Sequence, residues 1–254
     1  MKLNARQELI LLQLGGREFV SVEALSLQFE MAAQTIRRDI TQLCDLGLAR
    51  RHHGGLGPLP SAENLSFGSR QIINGEAKLS IAKKIATTIP DNASIALGIG
   101  TTAAAIARQL LYKKGLKIIT NNLDVASIFY QNSDVEVLVS GGKLRPLDRD
   151  LVGDNTVAFF NSYYVDFAII SVGSLDVDRG LMDFNMDNVA ITQSILNNAQ
   201  HKILAADNSK WSKKAFANVC SFTAINSLYT DQIPQSIICI DCTLLPLKLS
   251  TANN

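Results

Sequence analysis

Residues 34–40, QTIRRDI, predict an amphipathic helix with one apolar face and one polar, basic face. At 3.6 residues per turn, Ile36 and Ile40 lie on the same side of the helix. Arg37 and Arg38 lie on or near the opposite side, close to the amino-terminal end. In a helix-turn-helix domain, this end of the second helix of the motif enters the major groove of DNA. The segment is therefore a candidate recognition helix.

The flanking segments predict a winged helix-turn-helix domain. Residues 3–14 place apolar side chains at helical spacing, and Ser21 is suited to cap a second helix. Residues 48–56 predict a strand, a basic tip and a return strand. Three helices and a small hairpin are the expected layout of such a domain. The side chains expected to contact DNA are Gln34, Thr35, Arg37, Arg38, Arg50, Arg51, His52 and His53.

The chemistry of these side chains suits DNA. Arginine can bind guanine with two hydrogen bonds, glutamine can bind adenine in the same way, and either arginine could instead hold a phosphate. Taken alone, Arg37-Arg38-Asp39 is more typical of a solvated helix face than of a DNA contact. The net charge of the whole chain is only +1. The prediction of DNA binding therefore rests on where the cations lie, in a helix and in the wing that follows it.

Length and composition predict two domains in a cytoplasmic protein. The chain has 254 residues, of which 47% are hydrophobic, enough for a substantial core. The N-terminal residues lack the pattern of a signal peptide, and the apolar runs are too short to cross a membrane. We expect a DNA-binding domain over residues 1–57, a polar linker over 58–75 and an α/β domain over 76–254.

Alternating strands and helices after residue 76 predict an α/β fold. Apolar strands are expected at 94–97, 117–120, 135–139, 167–172, 202–206 and 227–229, with helices between most of them. This alternation is typical of a mostly parallel sheet covered by helices on both faces. Ligands of such folds bind at the carboxyl ends of the strands. The expected fold class is thus α/β, with a winged helix-turn-helix at the N-terminus.

Residues 98–102, GIGTT, follow a predicted strand and open a predicted helix. Glycines allow close backbone approach, and the exposed N–H groups at a helix start attract anions. The loop lacks the lysine of a nucleotide-binding P-loop and the full spacing of a dinucleotide loop. It therefore predicts a phosphate site, with an ordinary tight turn as the alternative. No cofactor is expected.

Other polar residues follow later predicted strands, so one shared site is plausible. Asn121 could bind sugar hydroxyls, and Lys210 could pair with a phosphate as a point charge. Each residue alone is also typical of a turn or a cap. The full set of predicted effector contacts is Gly100, Thr101, Thr102, Asn121, Gly141, Gly142, Arg145 and Lys210.

The four cysteines leave a metal site open as an alternative. Cys239 and Cys242 have a spacing that suits a metal or a redox pair, and Cys220 with His201 could complete a zinc site. No second pair of that spacing is present. We therefore expect reduced thiols, most of them buried, and no metal.

The sequence resembles the DeoR family of bacterial transcriptional regulators. The resemblance is carried by TIRRD at 35–39 and by the wing RRHHGG at 50–55, and it covers essentially the whole chain. Further matches are the GTT of 100–102, TNNL at 120–123, GLMDF at 180–184, and Asp207 with Ser209 and Lys210. Three positions differ from the family pattern: Ala32-Ala33 replaces a capping residue, Gly98 replaces a frequent Asp, and Ala77 interrupts a Glu-Lys pair.

The resemblance implies a function and a sensor fold. A DeoR-type protein is expected to repress a carbohydrate or glycerol-3-phosphate catabolic operon by binding operator DNA. A phosphorylated effector, glycerol-3-phosphate or a sugar phosphate, is expected to relieve repression. The resemblance also implies a ribose-5-phosphate isomerase-like sensor fold in which Gly100, Thr101, Thr102 and Lys210 contact the ligand. A helix-turn-helix usually binds DNA as a dimer, so a homodimer or homotetramer is expected.

An isomerase-like enzyme with an appended DNA-binding domain is the alternative function. Such an enzyme needs a general base beside the phosphate site. Four aspartates are available, Asp166, Asp176, Asp183 and Asp207, but no motif distinguishes one of them. A pure adaptor protein would explain neither the arginine pair nor the GTT loop. We therefore expect a regulator without enzymatic activity.

Overall fold

The structure, a computed structural model, describes residues 3–14, 19–57, 67–234 and 248–251. The chain forms two compact units, Met1–Gly75 and Glu76–Asn254. Each unit has its own hydrophobic core.

The N-terminal unit packs helices on a small antiparallel sheet. Its described elements as far as Gly57 are α1 Ala5–Leu14, β1 Val20–Ser21, α2 Val22–Gln28, α3 Ala33–Asp45, β2 Arg50–His52 and β3 Gly55–Gly57. The strands lie in the order β1-β3-β2. Ile10, Leu25, Ile36, Leu43 and Leu56 are completely buried between these elements. This is the winged helix-turn-helix that the sequence predicts.

A fourth helix, α4 Phe67–Ile72, lies inside the predicted linker. Phe67 is buried, and Ile72 and Ile73 pack against the core of the N-terminal unit. The prediction of an irregular linker is therefore wrong over these residues. A six-residue helix is too short to show helical periodicity in a sequence window, and burial of its apolar side chains holds it in place. The first half of the predicted linker, residues 58–66, lies outside the described residues.

The second unit is built on a parallel sheet. Seven described strands, all paired in parallel, lie in the order β15-β14-β12-β9-β4-β5-β6. They are β4 Ser94–Leu97, β5 Lys117–Thr120, β6 Glu136–Val139, β9 Val165–Ile170, β12 Ala199–Ala205, β14 Ser227–Thr230 and β15 Lys248–Thr251. The predicted parallel α/β fold is thus confirmed.

Helices cover both faces of this sheet. The core on one face includes side chains of α5 Gly75–Thr88, α6 Thr101–Leu110 and α7 Leu123–Phe129. The core on the other face includes side chains of α8 Asp154–Asn161 and α9 Met186–Asn197. Along β4 and β5, neighbouring side chains alternate between the two cores. Ile95 and Leu97 belong to the first core, for example, and Ala96 to the second.

Short strands form two further sheets that the sequence did not predict. One is a hairpin of β7 Lys143–Arg145 and β8 Asp150–Val152. The other is the antiparallel sheet β10-β11-β13, formed by Ser174–Asp176, Gly180–Asp183 and Ala217–Cys220. Segments of three or four residues are too short to establish a period-two pattern.

The order of the strands reverses between β4 and β9. From β4 the chain adds β5 and β6 on one side, and it then returns to add β9, β12, β14 and β15 on the other. The carboxyl ends of β4 and β9 therefore flank a topological switch point, which is where open α/β sheets bind ligands.

Candidate DNA-binding surface and effector cleft

The recognition helix α3 has the predicted orientation. Ile36, Ile40 and Leu43 are buried in the core of the N-terminal unit. Gln34, Arg37 and Arg38 are exposed and Thr35 is half-buried. The helix thus offers its first turns to solvent with two cations and two uncharged hydrogen-bonding side chains.

Asp39 differs from its neighbours, because it is only 4% exposed. Arg6 Nε donates to Asp39 Oδ2 at 2.6 Å, and Gln7 Nε2 donates to Oδ1 at 3.0 Å. The interpretation of residues 37–39 as a solvated face is wrong for this aspartate. Its position three residues after Ile36, within the apolar stripe, is the signal that could have revealed its burial. Asp39 ties α3 to α1.

The start of α3 has no side-chain cap. Its N-cap residue is Ala32, with an extended ψ of 138° and no side-chain hydrogen bond to the helix. By contrast, Ser21 Oγ accepts a hydrogen bond from Ala24 N at the start of α2. The departure from the family pattern at Ala32 therefore leaves N–H groups at the tip of the recognition helix without a side-chain partner from the N-cap.

The wing presents exposed basic residues at a tight turn. Arg50, Arg51, His52 and His53 are all exposed. The turn depends on glycine: Gly54 has a φ of +80°, and a side chain on Gly55 would collide with the Val20 carbonyl and the Phe19 ring. Glycine tolerates both conditions.

One wing arginine contacts the recognition helix. Arg51 Nη2 donates to Thr41 Oγ1 at 2.8 Å, and this hydroxyl donates to the Arg37 carbonyl. The contact holds part of the wing against α3.

Most of the predicted effector residues lie along the carboxyl edge of the parallel sheet. Gly100, Thr101 and Thr102 follow β4, Asn121 follows β5, Gly141 and Gly142 follow β6, and Lys210 lies in a 3-10 helix, Asn208–Ser212, that follows β12. Neighbouring strands are about 4.8 Å apart, so the edge between β12 and β5 is about 15 Å wide. This distance suits a small metabolite.

Helix α6 starts with the backbone geometry of an anion site. Gly100 has φ +98° and ψ 175°, a region that is nearly restricted to glycine, and a side chain there would meet nothing within 4 Å. Thr101 and Thr102 form the first turn and are buried. The N–H groups of a first helical turn point toward the start of the helix, and they carry the positive end of the helix dipole.

A cleft opens beside this helix start, at the switch point of the sheet. It is lined by Gly98, Ile99, Asn121, Ile170, Ser171, Asn188, Ile191, Thr192 and Ile195. Asn121 is completely buried, and its Nδ2 donates to the Leu151 carbonyl at 2.8 Å. Its Oδ1 is a buried atom for which the described structure contains no hydrogen-bond donor. A buried acceptor of this kind is suited to a ligand hydroxyl.

Arg145 has a role other than the predicted one. Its Nε and Nη2 both bind the carboxylate of Asp150, which is completely buried, and Nη2 also binds Asn188 Oδ1. The two hydrogen bonds to Asp150 occupy one side of the guanidinium. Burial acts to lower the pKa of Arg145, but the hydrogen bonds and the charge of Asp150 outweigh it and raise the pKa. The prediction that Arg145 contacts the effector does not fit this geometry, because its hydrogen bonds go to Asp150 and Asn188. Arg145 instead holds Asn188 at the cleft.

The four aspartates considered as catalytic bases all have structural partners. Asp166 lies at the amino-terminal end of β9 and binds Ser94 N and Oγ, which lower its pKa. Asp176 accepts two backbone N–H bonds in the β10–β11 turn. Asp183 accepts bonds from three backbone N–H groups and from Asn188. Asp207 caps the 3-10 helix through Ser209.

Two of the cysteines can be described. Cys44 and Cys220 are free and half-buried, and burial raises the pKa of both thiols, to about 11 for Cys220. Cys239 and Cys242 lie outside the described residues. Over residues 3–14, 19–57, 67–234 and 248–251, no three His, Cys, Asp or Glu side chains are grouped as metal ligands. Within those ranges, every helix is too short or too polar to span a membrane.

Comparison with known proteins assigns both units. Residues 6–61 match a DeoR-like helix-turn-helix domain, and residues 73–232 match a DeoR C-terminal sensor domain. The chain is 34% identical to the repressor CsqR of Escherichia coli over 92% of its length and 90% of that protein. It is also 34% identical to the glycerol-3-phosphate regulon repressor of Haemophilus influenzae, over 94% of this chain and 93% of that protein.

The likeness to solved structures is weaker. Ribose 5-phosphate isomerase A of Methanocaldococcus jannaschii aligns with a TM-score of 0.40 and 19% identity, over 54% of this chain and 55% of that one. A likeness this distant bears on neither activity nor ligand. Both relatives named above are transcriptional repressors. The chain therefore belongs to the DeoR family, and it is a DNA-binding transcriptional regulator.

Proposed function

We propose that this regulator is a cytoplasmic repressor of a carbohydrate or glycerol-3-phosphate catabolic operon, and that a phosphorylated sugar or polyol relieves repression. One observation carries the effector part of the proposal. The start of α6, suited to a phosphate, lies on the same sheet edge as the buried acceptor Asn121, suited to a hydroxyl. A phosphorylated polyol carries both groups on one short chain.

The DNA contacts follow from the exposed face of α3 and from the wing. Gln34, Thr35, Arg37 and Arg38 read bases or hold phosphates in the major groove, and Arg50, Arg51, His52 and His53 contact the backbone or the minor groove. A homodimer or homotetramer places two recognition helices on half-sites one helical turn, or a multiple of it, apart.

The effector contacts are divided between two ends of the ligand. The backbone of Gly100 and the first turn of α6, with Thr101 and Thr102, hold the phosphate, and Lys210 adds a positive charge. Asn121 accepts from a hydroxyl at the other end. Gly141 and Gly142, at the end of β6, border the site.

The effector changes the affinity for DNA only if it binds one arrangement of the oligomer better than the other. Binding at the sensor unit then lowers the population that fits the operator. Because relatives are named glycerol-3-phosphate regulon repressors, glycerol 3-phosphate is the first compound to test.

Ligand binding tests the effector part of the proposal directly. Trp211 is the only tryptophan in the chain and is next to Lys210, so its fluorescence reports on this edge of the sheet. We expect glycerol 3-phosphate or a sugar phosphate to change this fluorescence in a saturable way and to raise the melting temperature. Glycerol and the unphosphorylated sugars are the controls. If no phosphorylated sugar or polyol has either effect, the proposed effector class is wrong.

A further inference from the structure

We infer that the cleft beside α6 selects ligands whose non-phosphate end is uncharged and carries a hydroxyl, and that it discriminates against a carboxylate or an ammonium at that end. The inference rests on the proposed function, because it takes the phosphate to lie at the start of α6. It adds the chemical class of the remainder of the ligand.

Among the residues that the structure describes, none that lines the cleft has an ionisable side chain. The polar residues among those that line it are Asn121, Ser171, Asn188 and Thr192, and the rest are isoleucines and one glycine, Gly98. A charged group that leaves water for such a surface loses hydration without gaining an ionic partner. A hydroxyl loses much less, and it can replace water with one hydrogen bond.

The buried side-chain oxygen of Asn121 favours a ligand group that can donate a hydrogen bond. The Asn121 backbone carbonyl accepts from Leu151 N at 2.9 Å, while its side-chain Nδ2 donates to the Leu151 carbonyl. Rotating the amide by 180° would place Oδ1 against that carbonyl, so the oxygen is fixed as the atom without a partner. It needs a donor. A ligand hydroxyl supplies one, and a carboxylate would bring a second acceptor.

The charged side chains that contact the lining residue Asn188 are already paired. Arg145 binds Asp150 with two hydrogen bonds, and it holds Asn188 through Oδ1. Asn188 Nδ2 donates to Asp183, whose carboxylate also accepts three backbone N–H bonds. Neither the cation nor either carboxylate can turn toward a charged ligand without giving up these bonds.

Gly98 makes the neutrality of the cleft testable. An added Cβ would have its nearest neighbour, the Ile169 carbonyl oxygen, at 3.5 Å, which is an ordinary contact. The φ angle of Gly98 is also not positive. A side chain can therefore be introduced without backbone strain. Gly98→Asp places a carboxylate at the cleft, and Gly98→Ala is the matched control for the added bulk.

The test compares three ligands that share a three-carbon phosphate and differ in one group. They are glycerol 3-phosphate, 3-amino-2-hydroxypropyl phosphate and 3-phosphoglycerate. A hexose series, glucose 6-phosphate, glucosamine 6-phosphate and 6-phosphogluconate, repeats the comparison at a larger size. Inorganic phosphate measures the phosphate end alone. Dissociation constants are read from Trp211 fluorescence, and melting temperatures confirm that each variant is folded.

In the wild-type protein we expect the neutral member of the better-binding series to bind about 10-fold or more tightly than both charged members. Gly98→Asp should reverse the preference between the hydroxyl and the amine, whereas Gly98→Ala should keep it. Inorganic phosphate is measured with each variant, so that a change at the phosphate end, such as repulsion by the new carboxylate, is separated from the preference between the two ligands. This combination would locate the discrimination in the cleft.

Two kinds of failure can be told apart. Equal binding of the neutral and charged members by the wild type, or tighter binding of a charged member, overturns this inference and leaves a phosphorylated effector in place. Binding of inorganic phosphate alone also overturns it, because the cleft then contributes nothing. If neither inorganic phosphate nor any compound of either series binds, the proposed function itself has failed.

Discussion

The two units place their functional side chains in opposite ways. In the N-terminal unit, Arg37 and Arg38 are exposed on a helix whose other face forms the core. In the second unit, Asn121 and Thr102 are buried, so the groups suited to a ligand are also part of the folded framework. Substitution of these exposed residues in the first unit should therefore change DNA binding without changing the free energy of unfolding. Substitution of the buried residues in the second unit should change both ligand binding and stability.

The largest effect is expected from Arg37→Ala with Arg38→Ala. Each arginine that reads a base or holds a phosphate contributes about 1–3 kcal/mol to DNA binding, so the pair should cost about 100-fold or more in affinity. Both side chains are exposed, so we expect the free energy of unfolding to change by no more than about 0.5 kcal/mol. Fluorescence anisotropy with operator DNA and urea unfolding check the two parts. If the double variant lost as much free energy of unfolding as free energy of DNA binding, the two units would not differ in this respect.

The adjacent Asp39 should behave in the opposite way. Asp39→Ala leaves Arg6 and Gln7 without their buried acceptor, and lost hydrogen bonds to a charged group cost about 2–3 kcal/mol. Amide hydrogen exchange of α3 measures this loss, and Asp39→Asn should restore part of it. Unchanged protection of α3 in Asp39→Ala would show that the contact with α1 does not hold the recognition helix.

This contrast within three consecutive residues shows what the sequence could and could not predict. The exposed arginines were predicted because helical periodicity places them away from Ile36 and Ile40. The burial of Asp39 was missed because its partners, Arg6 and Gln7, lie more than thirty positions earlier in the chain. A pairing over that separation depends on how α1 packs on α3, which local periodicity does not contain.

The second unit offers a matched pair of glycines. Gly100 precedes α6 with φ +98° and ψ 175°, and Gly153 precedes α8 with φ +111° and ψ 178°. An added Cβ meets nothing within 4 Å at either position, so alanine causes no clash there. The cost of alanine is the backbone strain of a non-glycine residue at positive φ, about 1–3 kcal/mol at both positions. The first turn of α8 carries its own anion, Asp154, whereas that of α6 carries Thr101 and Thr102.

We therefore expect Gly100→Ala to weaken the binding of glycerol 3-phosphate or inorganic phosphate by about 10-fold or more, since the strained turn shifts the N–H groups that face the anion. Gly153→Ala should lose similar stability and keep its ligand affinity. Trp211 fluorescence and thermal unfolding compare the two. Equal effects on ligand affinity would mean that the start of α6 is not the phosphate site.

The smallest expected effect is a gain in the stability of α3. Ala32→Ser supplies the missing side-chain cap of α3 and should stabilise it by about 1 kcal/mol, because a serine oxygen can accept from an N–H of the first turn. Ser21→Ala removes the existing cap of α2 and should cost a similar amount. Hydrogen exchange of the two helices checks both changes. If Ala32→Ser gave no gain in the stability of α3, the N–H groups of its first turn would already have acceptors.

The effector site shows a similar limit of sequence analysis. The strands at 94–97 and 117–120 were predicted with their observed limits, and the polar residues after them therefore fell on one sheet edge as expected. Arg145 was misassigned because its partner Asp150 lies across a hairpin of two three-residue strands that no periodicity reveals. Ser171, Asn188 and Thr192 were missed, since no local motif links them to the GTT loop.

The central claim is that a phosphorylated effector bound at the carboxyl edge of the sheet controls DNA binding. It is tested most directly by measuring the affinity for operator DNA with and without saturating glycerol 3-phosphate, or whichever phosphorylated ligand binds most tightly, in the wild type, Gly100→Ala and Gly153→Ala. The account predicts that a ligand concentration just sufficient to saturate the wild type weakens DNA binding in the wild type and in Gly153→Ala, while Gly100→Ala binds DNA normally and responds only at concentrations about 10-fold or more higher. Release of DNA from Gly100→Ala at the same ligand concentration as from the wild type would contradict it.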